Sequence, residues 1–349
     1  MFTRMLVPLD GSERAEQALA VAARLARALD STLILVRVVQ PPIQPATSLA
    51  PPLDVEGRIL SEELDEATRY LAQIAQRSEL AGLKHERESL VGYPSEMILE
   101  AVHASRADVI ILCSHGRTGL LRWMLGSVAQ RIVHQASVPV LVLQQQGPML
   151  LSDTQRPLRV LAPLDGSWLA EAALAPAVTL VSALAPQGQG SVHLVQVVRP
   201  PGDAEARQPA SSGASTREAG LLEAEDYLRR VAEQLNNGPL ASLRVQITWT
   251  TIANKDVAGT LVDLAKRGKA AQGTGGVGGF DLIAMATHGR GGLHRWVMGS
   301  VTERVLSVSR VPMLVIRPKE VIFPSRLNTA LSQNQNETTI RTQKGLEHA

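Results

Sequence analysis

One set of chemically capable residues recurs in the same order at two places in this 349-residue chain. Ser114 to Val133 reads SHGRTGLLRWMLGSVAQRIV, and Thr287 to Leu306 reads THGRGGLHRWVMGSVTERVL. Eleven of the 20 positions are identical without a gap, at an offset of 173. Most of the shared residues are His, Gly, Arg, Trp and Ser, whereas packing alone would favour Leu and Val. Each copy follows an apolar run (VIILC, LIAMA) and leads into an amphipathic stretch. Strand, glycine loop and helix start form a layout that holds phosphate. The glycines bare backbone N–H groups, and the helix N-terminus adds the positive end of its dipole.

Other chemistry in the same segments competes with simpler roles. His115 and His288 are of the type used for acid–base work, but no partnered carboxylate or nucleophile recurs beside them, so a hydrogen bond bracing the loop is the simpler role. Trp123 and Trp296 could stack on a base or pack at a domain contact. Cys113 ends an apolar run, which suits an inert buried thiol better than a redox sensor. Ser127-Val-Ala-Gln130 and Ser300-Val-Thr-Glu303 have the form of capping boxes, which would account for both serines without a ligand. Asp10 and Asp165 could likewise cap the helices that follow them.

The elements that must position these residues follow from periodicity. Arg4 to Leu9 is a short apolar strand, and Ser12 can cap a helix from Glu13 to about Leu29. Thr32 to Val39 is a β-branched run expected of a strand buried on both faces. A Pro-rich loop over Gln40 to Leu53 precedes a long charged helix, Arg58 to Ala81. Lys84 to Val91 alternates as a strand, and Ser95 can cap a helix to about Ala104. Asp108 to Cys113 is a strand, followed by the glycine loop, a helix from Ser127 and a strand over Pro139 to Leu143. Strand and helix alternate throughout, which implies parallel strands with right-handed crossovers.

The rest of the chain repeats as well. MLVPLDGS at Met5 to Ser12 returns as VLAPLDGS at Val160 to Ser167, at an offset of 155. LILVRVVQPP from Leu33 resembles HLVQVVRPP from His193, and VPVLVL from Val138 resembles VPMLVI from Val311. Matched blocks in one order mean that a whole domain is duplicated. The expected organisation is a first domain over 1–146, a linker over 147–157 and a second domain over 158–318. The second copy is longer by 18 residues, much of it the glycine-rich loop 268–279. Residues 319–349 are polar and expected to be disordered.

Composition limits the function classes. Hydrophobic residues make up 45% of the chain and charged residues 19%, as expected for a globular protein. Aromatics are 3%, so the cores must be aliphatic. The net charge of +2, without a dense basic block, gives no footprint for nucleic acid. Nothing approaches about 18 uninterrupted apolar residues, so no membrane partner is expected. The N-terminus runs straight into a strand, and the single cysteine excludes an internal disulfide or a Cys-based zinc site. Together these point to the cytoplasm.

A PLDGS loop after the first strand and a (S/T)HGR…GS loop after the fourth, present twice, resemble the universal stress protein family over residues 4 to about 318. The resemblance implies two tandem Rossmann-like α/β domains of the adenine nucleotide alpha hydrolase-like type, each a five-stranded mainly parallel sheet with helices on both faces. The family's ATP-binding pattern is Gly, two residues, Gly, nine residues, then Gly-Ser or Gly-Thr. Gly116 with Gly126-Ser127, and Gly289 with Gly299-Ser300, match that spacing. Both copies depart at the first glycine, which is Cys113 in one and Ala286 in the other, at a position that lies against the ribose in the family.

The resemblance implies an ATP site of Asp10, Val38, Cys113, Gly116, Arg117, Gly126 and Ser127 in the first copy. In the second it implies Asp165, Val197, Ala286, Gly289, Arg290, Gly299 and Ser300. Mg²⁺ or Mn²⁺ would come with the nucleotide, held through phosphate oxygens rather than by a carboxylate cage. The implied function is a cytoplasmic ATP-binding stress-response regulator, in which occupancy sets conformation or the binding of an unidentified protein partner. The alternative is a nucleotide-free scaffold of the same fold with degenerate sites. No catalytic constellation is present, so chemistry would be at most slow ATP hydrolysis. An adenylylating enzyme would need signatures such as SGGxDS or HxGH, and the chain has neither. Family members commonly dimerise through the last strand. Val138 to Leu143 and Val311 to Ile316 are therefore expected to pair within the chain, with a homodimer as a further possibility.

Overall fold

The computed structural model describes residues 2–41, 53–114, 125–144, 157–185, 189–200, 210–267, 279–288 and 298–318. Met1–Pro318 forms one compact unit. In its first half the strands are β1 (Arg4–Pro8), β2 (Thr32–Val39), β3 (His85–Val91), β4 (Val109–Cys113) and β5 (Val140–Leu143). The helices between them are α1 (Glu13–Leu29), α2 (Leu53–Ala75), α3 (Pro94–Ala104) and α4 (Ser127–Gln135). The second half has β6 (Arg159–Pro163), β7 (Ser191–Val198), β8 (Gln246–Ala253), β9 (Leu282–Ala286) and β10 (Met313–Ile316). Its helices are α5 (Trp168–Glu171), α6 (Leu174–Leu184), α7 (Ala210–Asn237), α8 (Val257–Arg267) and α9 (Ser300–Val308).

All ten strands of the described residues join one sheet, in the order β3-β2-β1-β4-β5-β10-β9-β6-β7-β8. Within each half the pairs are parallel, and the only antiparallel pair among the described residues is β5 with β10. Each half therefore has the doubly wound order 3-2-1-4-5, with its switch point between the first and fourth strands. The central strands are buried on both faces. Leu33, Leu35 and Ile111 belong to one core layer, and Ile34, Val36 and Ile110 to the other.

At the junction Leu314 lies opposite Leu141, with Met313 opposite Val142 and Val315 opposite Val140. Leu141 and Leu314 are equivalent positions of the repeat, so each copy presents the same strand to the other in the same register. That is the geometry of an isologous two-fold contact built inside one chain. Helices reinforce it. The Arg24 guanidinium on α1 donates to the Leu184 carbonyl at the end of α6. Arg317 reaches the carbonyls of His134 and Gln135 at the end of α4.

Several elements differ from their expected form, each for a local physical reason. The helix after PLDGS is continuous in the first copy but split into α5 and α6 in the second. Pro176 stands where the first copy has Val21, and a proline inside a helix removes a donor and clashes with the carbonyl four residues back. The long helix α2 starts at Leu53, inside the segment expected to be loop, and ends at Ala75. Its end tightens, with Gln76 and Arg77 donating three residues back, before a 3-10 turn over Ser78–Leu80 buries Leu80. Ser95 does not cap α3. Pro94 takes the first helical position, Tyr93 is the cap residue, and buried Ser95 accepts a hydrogen bond from Arg131. The glycine-rich loop lies outside the described residues except for Gly279, as do the linker up to Arg156 and the tail 319–349.

Candidate functional site

Each copy builds a cavity at the C-terminal edge of its half-sheet, at the switch point. The turn after the first strand forms one wall. Gly11 (φ 83°) and Gly166 (φ 84°) adopt the left-handed conformation that this turn requires. Asp10 Oδ1 accepts from the Ser12 amide at 2.9 Å and its hydroxyl at 2.6 Å, and Asp165 binds Ser167 in the same way at 3.0 and 2.6 Å. Each serine then caps the next helix, through Ala15 N in one copy and Ala170 N in the other. The aspartates thus orient the cap residue and do not cap the helix themselves. Both are half-buried at the cavity edge.

The opposite wall is the end of the fourth strand and the start of the last helix. Gly126 N donates to the Ser114 carbonyl at 2.8 Å, and Gly299 N donates to Thr287 O at 2.7 Å. These bonds hold the helix start beside the strand end, and they leave little room for a side chain at Gly299. A Cβ on Gly299 would lie 3.1 Å from the Thr287 carbonyl oxygen. They also overturn the expected capping boxes. Gly126 and Gly299 are the cap residues of α4 and α9, with no side-chain cap bond. Gln130 N and Glu303 N bond to the carbonyls of Gly126 and Gly299, so each helix begins one residue earlier than a serine cap would allow. Ser127 and Ser300 become first-turn residues with exposed side chains. An exposed hydroxyl at a helix N-terminus, beside the backbone N–H groups of the first turn, is suited to an anion.

The structure gathers Asp10, Val38, Cys113, Gly126 and Ser127 around a cavity of about 590 Å³ in the first copy. It gathers Asp165, Val197, Ala286, Gly299 and Ser300 around one of about 1020 Å³ in the second. Gly116, Arg117, Gly289 and Arg290, like His115, Trp123 and Trp296, lie outside the described residues. Among the described residues there is no group of three or more His, Cys, Asp or Glu able to hold a metal ion. No helix among them is long and apolar enough to cross a membrane.

A model of the universal stress protein family matches residues 1–144 and again 158–317. The chain belongs to the universal stress protein family. It is 32% identical over 146 residues to a universal stress protein of Methanocaldococcus jannaschii, an alignment covering 42% of this chain and 84% of the relative. It is 30% identical over 217 residues to one of Mycobacterium tuberculosis, covering 61% of this chain and 63% of the relative. A solved universal stress protein from Archaeoglobus fulgidus superposes with a TM-score of 0.60 at 21% identity, over 91% of this chain and 99% of that one, and so shares the fold.

Within this universal stress protein fold, several site features escape sequence reading. Thr302 is buried and donates from Oγ1 to the Ala286 carbonyl at 2.8 Å, tying α9 to the end of β9. The first copy has Ala129 at that place. His288 meets the hydroxyl of its neighbour Thr287 through Nδ1 at 2.9 Å, and the loop it was expected to brace lies outside the described residues. Its Nε2 is buried without a hydrogen-bond partner among the described residues, and the ring lines the second cavity. Gln196 lines the same cavity, and its Oε1 is also buried without a partner among the described residues.

Cys113 is held in its thiol form. Burial pushes it up to about 12, with the Asp10 charge adding to the rise and a backbone hydrogen bond opposing it. At pH 8 its alkylation by iodoacetamide is expected to be on the order of a thousandfold slower than that of a free cysteine, because the thiolate is the nucleophile. Intact-mass kinetics on the native chain measure this directly, since it has a single cysteine. Labelling at the rate of a model thiol would show that Cys113 is open to solvent.

Proposed function

We propose that the chain is an ATP-binding stress-response regulator in which nucleotide occupancy is coupled to conformation or partner binding, with the second copy the stronger site. The observation that carries this reading is the second cavity. It runs from Asp165 at the end of the first strand to Gly299 and Ser300 at the start of α9, and about 1020 Å³ is ample for a nucleotide. Phosphates sit at the helix N-terminus, where amides, dipole and the Ser300 hydroxyl face them. The base and ribose lie toward Asp165, Val197 and Ala286. Mg²⁺ or Mn²⁺ accompanies the phosphates, since the described residues supply no metal cage of their own. The cytoplasm is the compartment that such a nucleotide-dependent regulator would share with its ligand.

Coupling has a short physical route. The site-bearing strands β4 and β9 are separated only by β5 and β10, which form the junction. Closure of either cavity on a nucleotide would act on that junction.

Titration calorimetry of the intact chain with Mg-ATP tests the reading. Saturable heat at micromolar to low millimolar ATP is expected. No heat and no rise in melting temperature at millimolar ATP would favour a nucleotide-free scaffold. One feature supports the scaffold reading for the first copy, where Cys113 places a sulfur against the cavity.

Ser300→Ala separates ligand contact from structure. Because the serine does not cap α9, stability should change by less than about 0.5 kcal/mol. Loss of a hydrogen bond to a charged phosphate should weaken ATP by roughly tenfold or more. Unchanged affinity would remove Ser300 from the site.

A further inference from the structure

One residue of the second strand differs between the two cavities. Strand register makes the match secure. Pro8 pairs with Val36 and Pro163 with Val195, so the next residues, Arg37 and Gln196, occupy the same place in the two copies. In the first copy the Arg37 guanidinium lies 4.6 Å from the centre of the Tyr70 ring. It also fills the space beside the first turn, where a Cβ on Gly11 would fall 2.2 Å from Arg37 Nη1. Tyr70 and Gly11 do not line the first cavity.

The second copy keeps the tyrosine. Tyr227 donates to Glu171 at 2.9 Å, as Tyr70 does to Glu16. With the shorter Gln196 in place of arginine, Gly166 and Tyr227 do line the second cavity. Gln196 is 8% exposed, and its Oε1 has no hydrogen-bond partner among the described residues. An unpaired amide oxygen at such depth is costly unless something donates to it. A cation in one copy and a bare acceptor in the other ask for different ligand groups.

We propose that Gln196 is a specificity-determining residue of the second site: the extension between Gly166 and Tyr227 takes the nucleoside end of a nucleotide, which donates a hydrogen bond to Gln196 Oε1. The first site, closed at this place by Arg37, excludes that mode of binding, so the two copies are unequal by construction. This rests on the nucleotide-binding reading above. The donor is either the exocyclic amine of the base or the 2′-hydroxyl of the ribose.

The test is calorimetry of the full chain with Mg-ATP, Mg-ITP, which lacks the exocyclic amine, and Mg-2′-deoxy-ATP. Gln196→Met keeps the side-chain length and removes the acceptor. Its strong-site ATP affinity should fall about tenfold with no loss in melting temperature, since a buried unpaired amide has been removed. Gln196→Arg copies the first site and should lose at least as much. Arg37→Gln should strengthen the weaker site. In the unsubstituted chain, weakened Mg-ITP assigns the donor to the base, and weakened 2′-deoxy-ATP assigns it to the ribose. ATP affinity of Gln196→Met within twofold of the parent, or equal binding of all three nucleotides by the parent, would overturn the proposal while leaving nucleotide binding intact. No binding of any nucleotide by the parent would overturn both.

Discussion

Leu314→Ala is expected to lower the unfolding free energy by about 2–5 kcal/mol, the usual cost of emptying a fully buried leucine site. Leu314 and Leu141 are both completely buried and lie opposite each other across the antiparallel junction. They belong to one core layer that runs through both halves and includes Leu33 and Ile111 on one side and Val192 and Leu282 on the other. Removing one side chain therefore opens a cavity that neither half can collapse alone. Leu141→Ala should cost a similar amount. Because the pair touches, the double variant should depart from additivity by about 0.5–3 kcal/mol. Denaturant titration of the four chains measures the cycle. Strict additivity would mean that the two edges are not paired in solution.

His193 should make the chain acid-sensitive. It lies in β7, buried, with Nδ1 2.8 Å from the Thr248 hydroxyl and its ring 5.5 Å from that of Phe280. Burial lowers its pKa to about 4, and the nearby Arg159 charge pushes in the same direction. Arg159 itself sits 4.8 Å over the Phe280 ring. The unfolded chain takes up this proton near the ordinary value of about 6.5, whereas the folded chain resists until about 4. Between those values the unfolded state binds more protons, so stability falls as pH falls, by about 3 kcal/mol in all. His193→Gln retains a partner for Thr248 and does not titrate. Its stability should be flatter across that window. An unchanged slope would place the acid sensitivity elsewhere. Asp256 also favours its ionised form, through the Gly259 amide and then Arg304, but its lowered pKa acts at more acidic pH.

Much of the fold is written in local pattern. The repeat, the alternation of strand and helix, and the apolar runs at Val138 and Val311 need only near neighbours to be read. Residues at strand ends, such as Asp10, Val38 and Cys113, could be placed at one edge because parallel strands all point the same way. The cap assignments were less legible. Ser12 and Ser167 follow the local rule, whereas Ser127 and Ser300 do not. The Gly126 and Gly299 amides are tied to Ser114 and Thr287, across segments of more than ten residues that no short motif describes.

The sequence by itself determined the duplication, the alternation of strand and helix and the residues available for an anion at each helix start, because these depend on chain-local spacing. Only the tertiary structure decided the register that sets Leu141 against Leu314 and joins two half-sheets into one. It alone showed that Arg37 covers Tyr70 while the Gln196 amide oxygen has no partner among the described residues, and that His193 is buried beside a cation. Those outcomes depend on which side chains from distant segments share a small volume, where desolvation and a single missing partner outweigh any local preference.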